Sequence, residues 1–176
     1  LEKGKVYRGH ARFTAPDRVR VNGEELTAER IFVNAGGRPL VPDMPGLSEV
    51  PYLTNQQMMT LRELPEHLLV IGGSYIGLEF GQMMRRFGSK VTVIEMGARL
   101  VGREDEDVSQ ALREILEAEG IEVRLNAKCL SVKKAPGGVS VGLDCSEGAP
   151  RAEGSHLLLA VGRVPNTDDL GLEAAG

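Results

Sequence analysis

The residues with the most chemical content are Gly72-Gly73-Ser74-Tyr75-Ile76-Gly77, followed 23 residues after Gly72 by the carboxylate of Glu95. Glycines at the first and last positions permit a tight strand-to-helix turn and close helix–strand packing. A helix that starts there offers unpaired N–H groups to phosphate oxygens. A carboxylate at the end of the next strand accepts hydrogen bonds from both hydroxyls of a ribose and repels a 2′-phosphate. The spacing therefore points to a dinucleotide, NAD in preference to NADP, with Arg99 close enough in sequence to weaken that preference. Ser74 stands where the usual fingerprint has its second glycine. It adds bulk where a pyrophosphate approaches, although its hydroxyl can donate a hydrogen bond. Glycine-rich turns of this kind also occur in sheets that bind no dinucleotide, and the placement of Glu95 decides for binding.

Other candidate groups have plainer readings. His10, His67 and His156 lie far apart without a carboxylate or cysteine at ligand spacing, so strand-end or surface positions are expected and no metal site. Cys129 and Cys145 are too distant for a CxxC or CxxxxC redox pair and too few for a zinc site. The acidic run Glu104 to Asp107 suits the positive end of a helix, and Met58-Met59 and Met83-Met84 suit a core.

The elements that must position the turn follow from periodicity. Leu68-Leu69-Val70-Ile71 is a continuous apolar run of the kind a strand buried on both faces requires. Ile76, Phe80, Met83, Met84 and Phe87 recur at helical spacing and end at Gly88, with Arg85 and Arg86 in the last turn. Val91 to Ile94 is a second strand. Val108, Ala111, Leu112, Ile115 and Leu116 mark a second helix closed by Gly120, and Ile121, Val123 and Leu125 a third strand. This is α/β, a Rossmann-like parallel sheet. A hairpin, Leu130 to Lys133 and Val139 to Leu143 across Pro136-Gly137-Gly138, is inserted before a last buried strand, Leu157 to Val161. A short antiparallel β segment precedes it all, with strands at Val6 to Phe13, Arg18 to Val21 and Leu26 to Val33 and turn signals at Asp17 and Asn22-Gly23. Between them, three prolines and three glycines from Gly36 to Gly46 mark a connection without regular structure.

Composition narrows the classes. With 176 residues, 41% of them hydrophobic, there is room for one good core plus a piece of another. A net charge of -4 without a basic block, and 4% aromatic content, argue against nucleic acid as a partner. No apolar run approaches the roughly 20 residues of a membrane span and no signal-peptide core opens the chain, so a cytoplasmic protein is expected.

The run Leu68 to Glu79 and the run Leu159-Ala160-Val161-Gly162-Arg163-Val164-Pro165-Asn166-Thr167 resemble the pyridine-nucleotide domain of class I FAD-dependent pyridine nucleotide-disulfide oxidoreductases. The texture of Met83 to Gly88, Arg103 to Val108 and Pro165-Asn166-Thr167 is most similar to mercuric reductases, with dihydrolipoamide dehydrogenases next. The resemblance implies residues 1–45 as the tail of a split FAD-binding domain, 46–170 as the NAD(P)-binding domain and 171–176 as the start of the return. It implies that Ala35-Gly36-Gly37 touches FAD, with alanine where the family has threonine. Tyr75 would cover the flavin until nicotinamide displaces it, Glu79 would orient the carboxamide, Gly162 would lie near the nicotinamide ribose, and the backbone at Cys129 near adenine.

An FAD fingerprint, a CxxxxC pair and a C-terminal His with its Glu are not found in these residues, so no catalytic residue is assigned to this fragment. The expected partners are the FAD and interface domains of the same polypeptide, with a homodimer at full length. Two rivals remain: a stand-alone nicotinamide dehydrogenase, for which no Tyr-xxx-Lys pair or buried histidine offers itself, and a non-catalytic nucleotide-binding module.

Overall fold

The computed structural model describes residues 4–144 and 150–176. They form two compact units, one made by the chain up to Arg38 with Arg163–Gly176, the other by Pro39–Gly162.

In the first unit β1 (Ala11–Ala15), β2 (Arg18–Val21) and β3 (Glu24–Thr27) make an antiparallel meander in the order β1-β2-β3. The sequence places strands at Val6 to Phe13 and Leu26 to Val33, and both expectations need correction. Regular pairing starts only at Ala11 and ends at Thr27. Past Thr27, Phe32 and Val33 are 90% and 51% exposed, so an apolar run with strand character has no partner strand among the described residues. The proline- and glycine-rich connection also differs from expectation. It contains β4 (Gly37–Pro39), which pairs with β12 (Arg163–Pro165).

The second unit is built on β5 (His67–Ile71), and its parallel sheet has the order β11-β5-β6-β7, with β6 (Lys90–Ile94), β7 (Glu122–Arg124) and β11 (His156–Leu159). A four-residue helix, α1 (Asn55–Met58), precedes β5. It carries a Thr54–Gln57 capping box that sequence reading missed. The crossovers are α2 (Tyr75–Phe87) and α3 (Glu106–Ala118). Each ends in the same device. Gly88 and Gly120 take positive φ, and the next N–H reaches back to the Met84 and Leu116 carbonyls respectively.

Side chains alternate across the sheet, so the continuous apolar run of β5 serves two cores. Leu68 and Val70 pack with Val91, Val93, Leu78, Met84 and Leu116 on the helical side. Leu69 and Ile71 pack with Ile94, Leu157 and Leu159 on the other. That second face is covered by an antiparallel sheet of β8 (Lys128–Ala135), β9 (Gly138–Asp144) and β10 (Arg151–Gly154), in the order β10-β9-β8. The expected hairpin is therefore two strands of a three-stranded layer whose Val132, Val139, Val141 and Ala152 close the core. Of the four paired methionines, Met58 and Met84 are buried and Met83 packs against the same core, whereas Met59 is exposed.

On the antiparallel-sheet side a polar ladder crosses three strands. The His67 ring nitrogen Nε2 lies 2.9 Å from Thr92 Oγ1, and the Thr92 hydroxyl donates to Glu122 at 2.8 Å. The Arg124 guanidinium donates to the other Glu122 oxygen at 2.6 Å and 2.8 Å. Burial, then the charge of Lys90, holds the His67 imidazole below its ordinary value of 6.5. Burial pushes the Glu122 carboxyl up, but hydrogen bonds from Thr92 and Arg124 and the charges of Arg124 and Lys90 outweigh it and hold it below 4.5.

Both groups bind protons less readily folded than unfolded, so stability present above their unfolded values is lost as pH falls through the folded ones. Urea midpoints should decline below pH 6.5 and again below 4.5. His67→Gln should flatten the first arm and Glu122→Gln the second. A wild-type midpoint that stays level from pH 7 to 4 would refute the assignment.

Candidate functional site

Strand order in the second unit reverses between β5 and β11. The chain leaves β5 through α2 toward β6, and β11 lies on β5's other side. Ligands of open α/β sheets bind outside the carboxyl ends of the strands at such a switch point. The turn Gly72–Ser74 sits there. Gly72 has φ +112, and a Cβ on it would lie 2.4 Å from the Ala160 carbonyl oxygen at the end of β11. Gly77 carries a harder constraint, since a Cβ there would lie 2.0 Å from the Gly72 carbonyl oxygen. Any side chain at 77 would lift the first turn of α2 away from β5.

Ser74 is the N-cap of α2, with φ -107 and ψ -176. This is extended backbone that does not require glycine, which is why a serine fits at the fingerprint's second position. Its side chain makes no capping bond and is exposed. No acidic residue occupies the first turn of α2, whereas α3 begins with Glu106 and Asp107. The N–H groups at the start of α2 thus face outward at a positive helix end that its own first turn leaves uncompensated. Tyr75 and Glu79 are exposed one turn apart on that helix, and Ile76 is half-buried between them.

Glu95, just past β6, is held at both carboxylate oxygens. Gly73 N–H donates to Oε2 and Gly97 N–H to Oε1, each at 2.6 Å. The carboxylate expected to read a ribose is therefore also the acceptor for the glycine turn. Two of its roughly four lone-pair sites remain for other donors. Ala127 N–H donates to the Glu95 carbonyl and Asn126 N–H to that of Gly97, which brings the start of β8 beside Glu95. The backbone of Cys129, paired in register with Leu143, follows two residues on. Cys145 lies outside the described residues. On the opposite side, Gly162 (φ +138) follows β11 and accepts from Leu40 N–H at 3.0 Å.

Three further residues of the site carry no signal in the sequence. The segment between β6 and α3 folds over the glycine turn, with Val101 N–H donating to the Gly73 carbonyl at 2.8 Å and Leu100 buried against Gly73. Val101 has φ +40 and is buried, a conformation that costs a β-branched residue about 1–2 kcal/mol. Glu104 precedes the helix and accepts a hydrogen bond from the Tyr75 hydroxyl. The expectation that the whole acidic run serves the helix start therefore holds for Glu106 and Asp107 but not for Glu104. His10 precedes β1, and His67 and His156 each open a strand.

In the first unit, Ala35-Gly36-Gly37 forms an exposed to half-exposed turn with Gly36 at φ +69. Asn166 holds it, donating from Nδ2 to the Ala35 carbonyl at 3.1 Å and from its backbone to that of Gly36 at 3.0 Å. Arg163 donates to the Gly37 carbonyl at 2.6 Å.

Residues 2–176 match the family model described as pyridine nucleotide-disulphide oxidoreductase, and the chain belongs to that family. It is 34% identical over 171 residues to a mercuric reductase of Staphylococcus aureus, covering 97% of this chain and 31% of that protein. To a dihydrolipoyl dehydrogenase of Thermus scotoductus it is 36% identical over 176 residues, covering 99% and 38%. Among solved structures, the HOCl-induced flavoprotein disulfide reductase RclA of Escherichia coli superposes with a TM-score of 0.80 at 36% identity, over 96% of this chain and 38% of that one. The chain spans about a third of the length of these relatives, all of them oxidoreductases.

The packing at Gly77 is open to a paired test with Gly81, one turn on. Alanine at 81 would make only ordinary contacts, at 3.5 Å or more, with Val91, Val93 and Val70. Gly81→Ala should stabilise by up to about 1 kcal/mol through helix propensity. Gly77→Ala should cost about 1–3 kcal/mol by overpacking against backbone. Equal urea midpoints for the two variants would contradict the close approach.

Proposed function

We propose that this chain is the dinucleotide-binding portion of a flavin-dependent oxidoreductase similar to mercuric reductases, positioning a reduced nicotinamide for hydride transfer to FAD. The observation that carries the reading is the turn at the switch point. Backbone conformation at Gly72 and zero clearance at Gly77 seat a helix N-terminus without an acid in its own first turn beside a carboxylate fixed just past the next strand. These residues fit the group. Gly72 and Gly73, whose own N–H groups are engaged by Ile94 and Glu95, shape the turn, and Ser74, Tyr75, Ile76 and Gly77 hold the pyrophosphate through backbone N–H groups and the free Ser74 hydroxyl. Glu95 accepts from the adenine ribose through its remaining lone pairs, and the backbone at Cys129 borders the adenine. Gly162, Tyr75 and Glu79 border the nicotinamide end, Tyr75 covering the flavin and Glu79 orienting the carboxamide as the family resemblance implies.

NAD supplies hydride chemistry when bound, and this chain's residues bind and orient it. Ala35, Gly36 and Gly37 form the turn that meets FAD, and the three carbonyls tied back by Asn166 and Arg163 keep that turn in one shape. The exposure of Phe32 and Val33 supports reading residues 1–45 as the tail of a split FAD-binding domain, with the remaining domains of the same polypeptide as its partners. A dihydrolipoamide dehydrogenase-like parent is the alternative. Cytoplasmic placement suits this reading, and no helix among the described residues is long and apolar enough to cross a membrane.

Calorimetric titration tests the proposal. NADH should bind more tightly than NADPH, and Glu95→Gln should narrow the ratio about tenfold, or about 1.4 kcal/mol, by removing repulsion of the 2′-phosphate. Equal affinities for the wild type would remove Glu95 as the selecting group. Absence of binding by either nucleotide would overturn the proposal.

A further inference from the structure

We infer that Glu104 is a positioning residue that parks the Tyr75 ring beside the start of α2 and competes electrostatically with the incoming pyrophosphate. The inference rests on the dinucleotide reading above and adds a determinant to that site. Tyr75 is the first residue of α2, so its own N–H is among the donors at the helix start, and the residue is 55% exposed. An exposed aromatic at such a position has many rotameric options, and one tie removes them. Its hydroxyl donates to Glu104 Oε1, 29 residues away, and this hydrogen bond, foremost among the causes, raises the phenol above its ordinary value of 10.0.

Glu104 is itself placed by the segment that covers the glycine turn. Its N–H donates to the Val101 carbonyl at 2.7 Å, while Val101 N–H is bonded to the Gly73 carbonyl. One short stretch of chain thus touches the turn at Gly73 and the helix start through Tyr75. It carries a carboxylate to the far end of the side chain of Tyr75, the residue that opens the helix proposed to bind phosphate. The other charged groups here are Arg103, whose charge acts on Tyr75 in the opposite sense to that of Glu104, and Glu95, whose oxygens are engaged by Gly73 and Gly97. Arg99 donates to the Gly102 carbonyl. Glu104 is the carboxylate of this group that is tied to a movable side chain and not to backbone.

Two consequences follow. A dinucleotide bearing two negative charges at its pyrophosphate meets a like charge of Glu104, so affinity is set below what the turn alone would give, and the deficit fades with salt. The tie also restricts the Tyr75 ring, so loss of the tie and loss of the charge act on the site by different routes.

The experiment compares the full 176-residue chain with its E104Q, Y75F and doubly substituted forms. NADH and NADPH binding would be followed by nucleotide fluorescence at about 20 mM and 500 mM salt. E104Q keeps an acceptor for the phenol and removes the charge, so both nucleotides should bind about three- to tenfold more tightly at low salt and about equally to wild type at high salt. Y75F breaks the tie, and its effect in the E104Q background should differ from its effect in wild type at least twofold. A merely structural Glu104 would lower affinity or leave it unchanged, and would show no convergence with salt. If wild type binds NADH and E104Q binds it with the same Kd at both salts, the inference falls while the dinucleotide reading stands. If wild type binds neither nucleotide, the reading fails and the inference with it.

Discussion

The contact on which the site depends is the approach of Gly77 to the carbonyl oxygen of Gly72, at a distance where any Cβ would collide with backbone. It lets the first turn of α2 rest on the end of β5, and it fixes the direction in which the helix's leading N–H groups point. A helix start displaced by the width of a methyl group would still be a helix start, but its donors would no longer share a focus with the carboxylate at the end of β6. The glycine at 72 serves the same geometry from the other side, keeping the chain close beneath the end of β11. Ser74 lies between these two constraints in extended backbone, which explains why a serine fits there.

Such close seating requires a rigid β5, and β5 gets its rigidity by being buried on both faces. Leu68, Leu69 and Val70 have no exposed surface. Two crossover helices cover one face of the sheet, and the antiparallel layer covers the other. The ladder of His67, Thr92, Glu122 and Arg124 crosses the strands on that same face. In the ladder a buried hydroxyl accepts from one neighbour and donates to the next, so polar groups cross three strands without leaving Thr92 unsatisfied.

Much of this arrangement is legible in the sequence because it is local. The four apolar residues of β5, the spacing of Phe80, Met84 and Phe87, and Gly88 and Gly120 each act within one turn or one strand, and the elements lie where those signals put them. Legibility fails where a distant segment decides. Residues 28 to 33 have strand character and no strand partner, because pairing needs a neighbour that the described chain does not supply. β10 is four residues long with only Ala152 buried, and its place was set by β9 and not by its own pattern. Glu104 is the sharpest case. In sequence it is indistinguishable from the helix-start acids that follow it, and only the fold of the 96–104 segment separates it from them.

That segment also shows how local strain and site geometry are linked. A buried valine in left-handed backbone is retained only if its surroundings compensate, and here they do so through the Val101 N–H to Gly73 carbonyl bond and the burial of Leu100 and Val101 in the core. Gly73 is consequently fixed at both ends of its backbone, its N–H by Glu95 and its carbonyl by Val101. The two groups that hold it belong to the segment that leaves β6, so the segment that carries the Glu95 carboxylate also sets the shape of the turn before α2. The glycine turn and the Glu95 carboxylate are in this way parts of one braced assembly, and a change at Glu95 acts on both.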